Sequence, residues 1–404
     1  MANNQDTQFA GAALGAGSSG TSAFASPIGM DRLIRKEVSL GVIREIAPPK
    51  DHIGLSIAPM MEVGSDDVVF DYVKPNYQDT FAPARAEDAE AELAQKDDIS
   101  SVSGRASIID WALKDKYSAS DVTRWREDNL IAEALQGAGV NLQLNGVGNS
   151  LADFNRRVAR DDKRRRKALD NRIEQLIMSA LWTNQIVYND GKIRFTVPYG
   201  RPADQQAVAP ASDPWNAGTT HDPIGDVMAF QDLIWTRRNV KCHRAITSQK
   251  VLNTIWKSDR FLALAGIVGG TPSSPIDPNY LVAGWGPQAA IDAVERVTGV
   301  RFEVYDSVYS TRPIGSQTVT HTRFSPETDI LFLPDPADLG EVDDTEIGFG
   351  KTLTAPHPEG NWSSGFYEWE DEKRDPWIHV RGSGIKAFPV FPYLEYSLTA
   401  RVLA

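Results

Sequence analysis

The stretch LADFNRRVARDDKRRRKALDNRIEQLIMSALW, residues 151–182, decides how the chain is organised. Apolar or bridging positions recur by three and four at Leu151, Phe154, Val158, Ala168 or Leu169, Ile173, Leu176 or Ile177, and Leu181. That spacing puts one face of an α-helix against a core. At about 1.5 Å per residue the helix spans roughly 48 Å. Asp162, Lys163 and Arg165 interrupt the stripe midway, which predicts a C-terminal half packed on a core and a basic half at the surface.

That basic half is the sharpest chemical feature of the sequence. Between Arg156 and Lys167 stand eight basic residues and two acids, in a chain of formal net charge -12. Two readings stay open for Arg156, Arg157, Arg160, Arg164, Arg165, Arg166 and Lys167. One is a solvated face with internal pairs, Asp161 with Arg165 and Asp162 with Arg166, each about 0.2–0.5 kcal/mol at that spacing. The other is a patch that docks a neighbouring copy of the chain or faces nucleic acid, because like charges so dense favour an external counter-charge. The chain offers one in the acidic strip 87–98, through Glu87, Asp88, Glu90 and Glu92.

Around the helix, 404 residues suggest about two or three globular units. Residues 1–29 have the Gly/Ala/Ser composition of a flexible arm, and 30–45 suggest a brief helix and a strand. Strand patterns at 68–73 and through Ala106, Ile108, Ile109, Trp111 and Leu113 flank the acidic strip and predict a projecting ribbon, marginal unless a neighbour orders it. Residues 121–136 suggest a short helix, and 137–150 a linker. Beyond the long helix comes a strand at Ile193–Val197. Helices at 224–238, at Ser248–Trp256 with a serine cap, and from Pro287 to Gly299 alternate with strands Cys242–Thr247, Arg301–Asp306 and Asp329–Leu333, as in a compact α/β unit. The ending, with Pro389, Pro392 and alternating Tyr396, Leu398, Ala400 and Val402, predicts a strand that closes an earlier sheet.

Catalytic constellations do not emerge. The six histidines are scattered, and Cys242 and His243, adjacent in a strand, point to opposite faces. Gly348–Lys351 only echoes a phosphate loop, and Gly382-Ser383-Gly384 is expected in a turn before a strand. No cofactor or metal is expected, and no stretch has the roughly 20 apolar residues of a membrane span. The acidic balance argues against wrapping duplex DNA by charge alone. The single cysteine allows no internal disulfide and fits a reducing compartment.

The order of elements resembles the major capsid proteins of tailed bacteriophages, in the lambda-type branch. The likeness rests on Pro59–Pro75, Leu151–Asn184, Asp222–Lys257, Pro287–Val304, Asp329–Pro334 and the ending Pro376–Ala404 with Phe388-Pro389-Val390-Phe391-Pro392. It implies an α+β, HK97-like fold: an N-terminal arm and lead-in (1–58), an extended loop (59–115), a peripheral domain (116–223, with the spine helix 151–183), an axial domain (224–345), and a return to the peripheral domain ending in the C-terminal strand (346–404). It implies a structural, non-enzymatic protein whose copies form hexamers and pentamers of an icosahedral head shell around double-stranded DNA, which they contact nonspecifically. A separate scaffolding protein, a portal and a decoration protein are the implied partners. The virion is the implied location, after assembly in the bacterial cytoplasm. No residue matches a covalent crosslinking chemistry. An encapsulin-like nanocompartment shares the implied fold, and a soluble α/β enzyme or a carbohydrate-binding protein using the aromatics at 362–369 is the reading from another class.

Overall fold

The long helix runs from Gly148 to Thr183 in the computed structural model, which describes residues 43–44, 46–74, 100–118, 148–189, 193–211, 213–217, 221–258, 260–261, 288, 291–311, 318–335, 339 and 348–404. The expected arm, the 121–136 helix, Pro287 and the acidic residues Glu87, Asp88, Glu90 and Glu92 lie outside the described residues. No Gly or Pro interrupts the helix after Gly148, and its body is rich in strong helix formers. It stops at Asn184, whose φ of 57° is a left-handed position that asparagine tolerates better than most residues. The buried guanidinium of Arg201 donates to Leu181 O at 2.8 Å, placing positive charge at the helix C-terminus where the macrodipole favours it.

Beneath the helix lies a sheet built on one strand, Trp377–Val390. Phe366–Arg374 pairs with it antiparallel on one side, and Asp110–Ser118 does so on the other. Its last four residues pair with Lys351–Thr354, which carries Met60–Glu62 in parallel. Gly382-Ser383-Gly384 is therefore not a turn but the middle of this central strand. Cross-strand from Gly382 and Gly384 stand Trp369 and Tyr367, whose rings lie over the two glycines, so a Cβ at either would overlap a ring. Ser383, one residue out of phase, turns to the helix side and is fully buried.

A second sheet takes the order Leu398–Arg401, Asp329–Leu333, Arg244–Thr247, Arg301–Val304. The C-terminal strand thus closes a sheet begun earlier, as its alternation predicts. Both faces are covered, which is why Asp329–Leu333 is buried at every position. Ile246, Leu331 and Leu333 join the long helix in one core. Ala245, Phe302, Ile330, Phe332, Leu398 and Ala400 join the helices Pro223–Arg238 and Gln249–Trp256 in a second core. The first of these helices is capped by Asp222, which accepts from Gly225 N at 3.1 Å. The second is capped by Ser248, as expected, which accepts from Val251 N at 3.2 Å. Residues 291–298 are helical and close at Gly299, with φ 71°.

Two strand expectations change. The run through Ala106–Leu113 is two strands, Ser100–Ser107 and Asp110–Ser118, separated where Ile108 turns into the core and its N–H donates to Asp66 O at 2.8 Å. The first of them pairs with Asp67–Lys74 as an eight-residue antiparallel ribbon. Gln185–Asn189, missed because no Gly or Pro separates it from the helix, pairs with Arg194–Pro198 as a hairpin. Replacing Gly382 with alanine should cost about 1–3 kcal/mol by overpacking against Trp369. Adding Trp369→Ala should then cost less than the sum of the two single changes in urea unfolding, since the clash is shared.

Candidate functional site: the two faces of the long helix

At about 100° per residue the basic block divides into two nearly opposite faces. Val158, Asp162, Arg165, Arg166 and Leu169 are buried toward the sheet, continuing the apolar stripe of Ile173, Ile177 and Leu181. Arg156, Arg160, Lys163, Arg164 and Lys167 are exposed on the far side, with Arg157 half-buried between the two. The polar residues that seem to break the stripe do not lift this half of the helix off the protein; Asp162 and Arg165 carry the inward face onward with charge.

On the inner face Arg165 is 2% exposed. Its Nε donates to Ser383 Oγ at 3.1 Å and one terminal nitrogen to Asp115 at 2.6 Å. The other terminal nitrogen pairs with Asp162 and lies 3.5 Å from Glu368. Arg381, from the central strand, donates its Nε to Glu368 at 2.6 Å and lies 4.0 Å from Asp162. Two guanidinium groups thus share three carboxylates between the helix and three strands. Burial alone would make Arg165 a poorer holder of its proton, but Asp162 and Asp115 reverse this and raise its pKa.

The next residue, Arg166, pairs with Asp170 at 3.0 Å, donates to Ile43 O at 2.7 Å and lies 3.4 Å from the Phe366 ring centroid. Burial outweighs this arginine at Asp170, whose pKa is raised. Arg165 and Arg166 therefore cannot belong to an outward patch: their charge is spent inside the subunit. The pairs also differ from those expected. Asp162 meets Arg165 and Asp161 meets Arg164 three residues on, the latter at 3.8 Å, while Arg166 reaches forward to Asp170. Asp161 instead accepts from the Tyr117 hydroxyl at 3.0 Å, while Arg165 is held between Asp162 and Asp115.

The outer stripe occupies an arc of about 100° over roughly 16 Å of helix. Arg164, its side chain 70% exposed, also touches Asp115 at 3.1 Å. Lys163 is exposed at one edge of the stripe, and helical phase puts it with the other outer residues although it reads as an interruption of the apolar pattern. The acidic strip falls between Lys74 and Ser100, which face each other at the end of the ribbon away from the Asp67–Ser107 pair. Lys386 holds the ribbon's root through Asp66 at 2.8 Å.

This architecture is that of the HK97-like capsid proteins. A structure described as the capsid protein of an Escherichia coli CFT073 prophage superposes with a TM-score of 0.52 at 15% identity, covering 91% of this chain and 97% of that one. A phage-related protein of Bordetella bronchiseptica RB50 gives 0.49 at 14% identity, covering 92% and 97%. No curated protein matches the sequence. The family described as Phage major capsid protein E matches residues 42–342, and the chain belongs to it. It is a structural, shell-forming phage capsid protein whose copies assemble into the virion shell.

Two outcomes test the inner face. Arg165→Ala, which strands buried carboxylates, should cost about 3–5 kcal/mol in unfolding free energy, whereas Arg164→Ala should cost under about 1 kcal/mol. His379, packed between Tyr117 and Trp377, has its pKa lowered from 6.5 by burial and by Arg381, against Glu370 and Glu372. The fold therefore holds the neutral ring. Its contribution is complete above pH 6.5 and declines as pH falls toward the lower folded value, and His379→Gln should remove that part of the urea-midpoint profile.

Proposed function

We propose that the exposed stripe Arg156, Arg160, Lys163, Arg164 and Lys167 receives the acidic strip 87–98 of a neighbouring copy as the chain closes into hexamers and pentamers. The observation that carries this reading is the partition of charge on the helix. Arg165 and Arg166 are buried and paired within the subunit, while five basic side chains are exposed on the opposite face. In the same chain type, four carboxylates at Glu87, Asp88, Glu90 and Glu92 are tethered to a two-stranded ribbon. Each exposed pair is worth little alone, about 0.2–1 kcal/mol, but a closed shell makes many such contacts at once.

In this reading residues 1–58 are arm and lead-in, 59–115 the extended loop, 116–223 and 346–404 the peripheral domain, and 224–345 the axial domain. The shell encloses double-stranded DNA in a particle assembled in the host cytoplasm. A separate scaffolding protein, a portal and a decoration protein are its partners.

Charge reversal on the outer face is the test, with Arg165 left intact because the fold needs it. Lys163→Glu, Arg164→Glu and Lys167→Glu together should leave the far-UV circular dichroism of the chain unchanged and abolish closed particles in electron micrographs. Lysines at 87, 88, 90 and 92 should restore them. Normal shells that lose DNA would reassign the stripe to the genome. Normal shells with normal DNA content would remove any role for it.

A further inference from the structure

The four-stranded sheet meets the long helix through an apolar layer pinned by polar contacts at its two opposite edges. At one edge, Tyr305 follows the strand Arg301–Val304 and donates its hydroxyl to Glu174 Oε1 at 2.6 Å. Glu174 is 1% exposed, and its pocket also includes the N–H groups of Ile53 and Gly54, at 3.1 and 3.0 Å. A side chain at Gly54 would overlap the carboxylate, so that approach needs glycine. At the other edge, Ser397 precedes the strand Leu398–Arg401 and accepts from Arg201 at 2.7 Å, the same guanidinium that holds Leu181 O. Three strand spacings, about 14 Å, separate the two edges. The two helix anchors, Glu174 and Leu181, lie about 10 Å apart along the axis.

Between the pins the contact is Ile246, Leu331 and Leu333 against the apolar face of the helix. Apolar burial is strong but non-directional, and packed elements tolerate changes of about 15–20° in crossing angle. Hydrogen bonds to a buried charge have fixed length and direction. The angle between sheet and helix is therefore set at the pins. In a shell of repeated subunits, an angle inside each subunit is repeated in every contact and becomes a curvature.

We propose that the Glu174–Tyr305 and Arg201–Ser397 pins are positioning residues for assembly, fixing the inclination of the four-stranded sheet on the long helix and so the diameter of the shell. This rests on the shell-forming reading above. Tyr305→Phe releases one edge without leaving an unpaired cation, Ser397→Ala releases the other, and Glu174→Gln weakens the first more severely. Diameters of purified particles are measured by electron microscopy beside wild type and Gly382→Ala, a change in the other sheet that lowers stability without touching either pin.

Wild type and Gly382→Ala should give one diameter class. Tyr305→Phe and Ser397→Ala should lose it, giving a second class, open sheets or tubes from folded chains. Unchanged diameters in both pin variants would overturn the proposal, as would the same broadening in Gly382→Ala, which would trace it to stability alone. A Tyr305→Phe chain that does not fold would also count against it, by making the contact a requirement of folding. Absence of closed wild-type particles would instead refute the shell-forming reading.

Discussion

Two arginines buried among three carboxylates hold this subunit in register. Removing such charges from water is costly, and a buried ion cluster need not be more stable than well-packed hydrocarbon. What Arg165, Arg381, Asp162, Asp115 and Glu368 supply is direction: their bonds are satisfied in one placement of helix on sheet. A helix of 36 residues lying on a strand of 14 has many registers of similar apolar contact. The ion cluster selects one, and with it the azimuth that leaves Lys163, Arg164 and Lys167 exposed.

The sheet is adapted to the same requirement. Gly382 and Gly384 let Trp369 and Tyr367 fold over one face of the central strand, so that Ser383, between them, meets Arg165 on the other. At the far end of the helix the charged layer gives way to Leu169, Ile173, Ile177 and Leu181, each worth about 1.5–3 kcal/mol on burial. There the second sheet takes over as partner. One helix therefore orients both sheets, and a chain assembled in many copies into a shell gains a rigid reference for every contact.

Much of this was legible in the sequence, because it lies in local periodicity. The helix, the Ser248 cap and the buried strand Asp329–Leu333 follow from spacing and residue type. The order of elements was enough to suggest the capsid family to which the chain belongs. The burial of Arg165 and Arg166 was not legible as such, since Asp115 and Glu368 are brought to them from positions 50 and more than 200 residues away in the chain. Helical phase does hold a clue: 158, 162, 165, 166 and 169 share one face, so a dense run of charge does not by itself mean solvent exposure. Gly-Ser-Gly misled for a related reason, as glycine marks close approach of a ring as readily as a turn. The strand Gln185–Asn189 was hidden because its boundary is an asparagine at positive φ.

The central claim is that the basic block serves two masters, its inner arginines the subunit and its outer residues the neighbour. An electron cryomicroscopy map of particles formed by this chain, at a resolution that shows side chains, tests it most directly. The account predicts Arg165 enclosed by Asp162, Asp115 and Glu368 of its own chain, with density from a neighbour's 75–99 segment over Lys163, Arg164 and Lys167. Arg165 extended into an inter-subunit contact, or an outer stripe facing empty solvent in every copy, would contradict it.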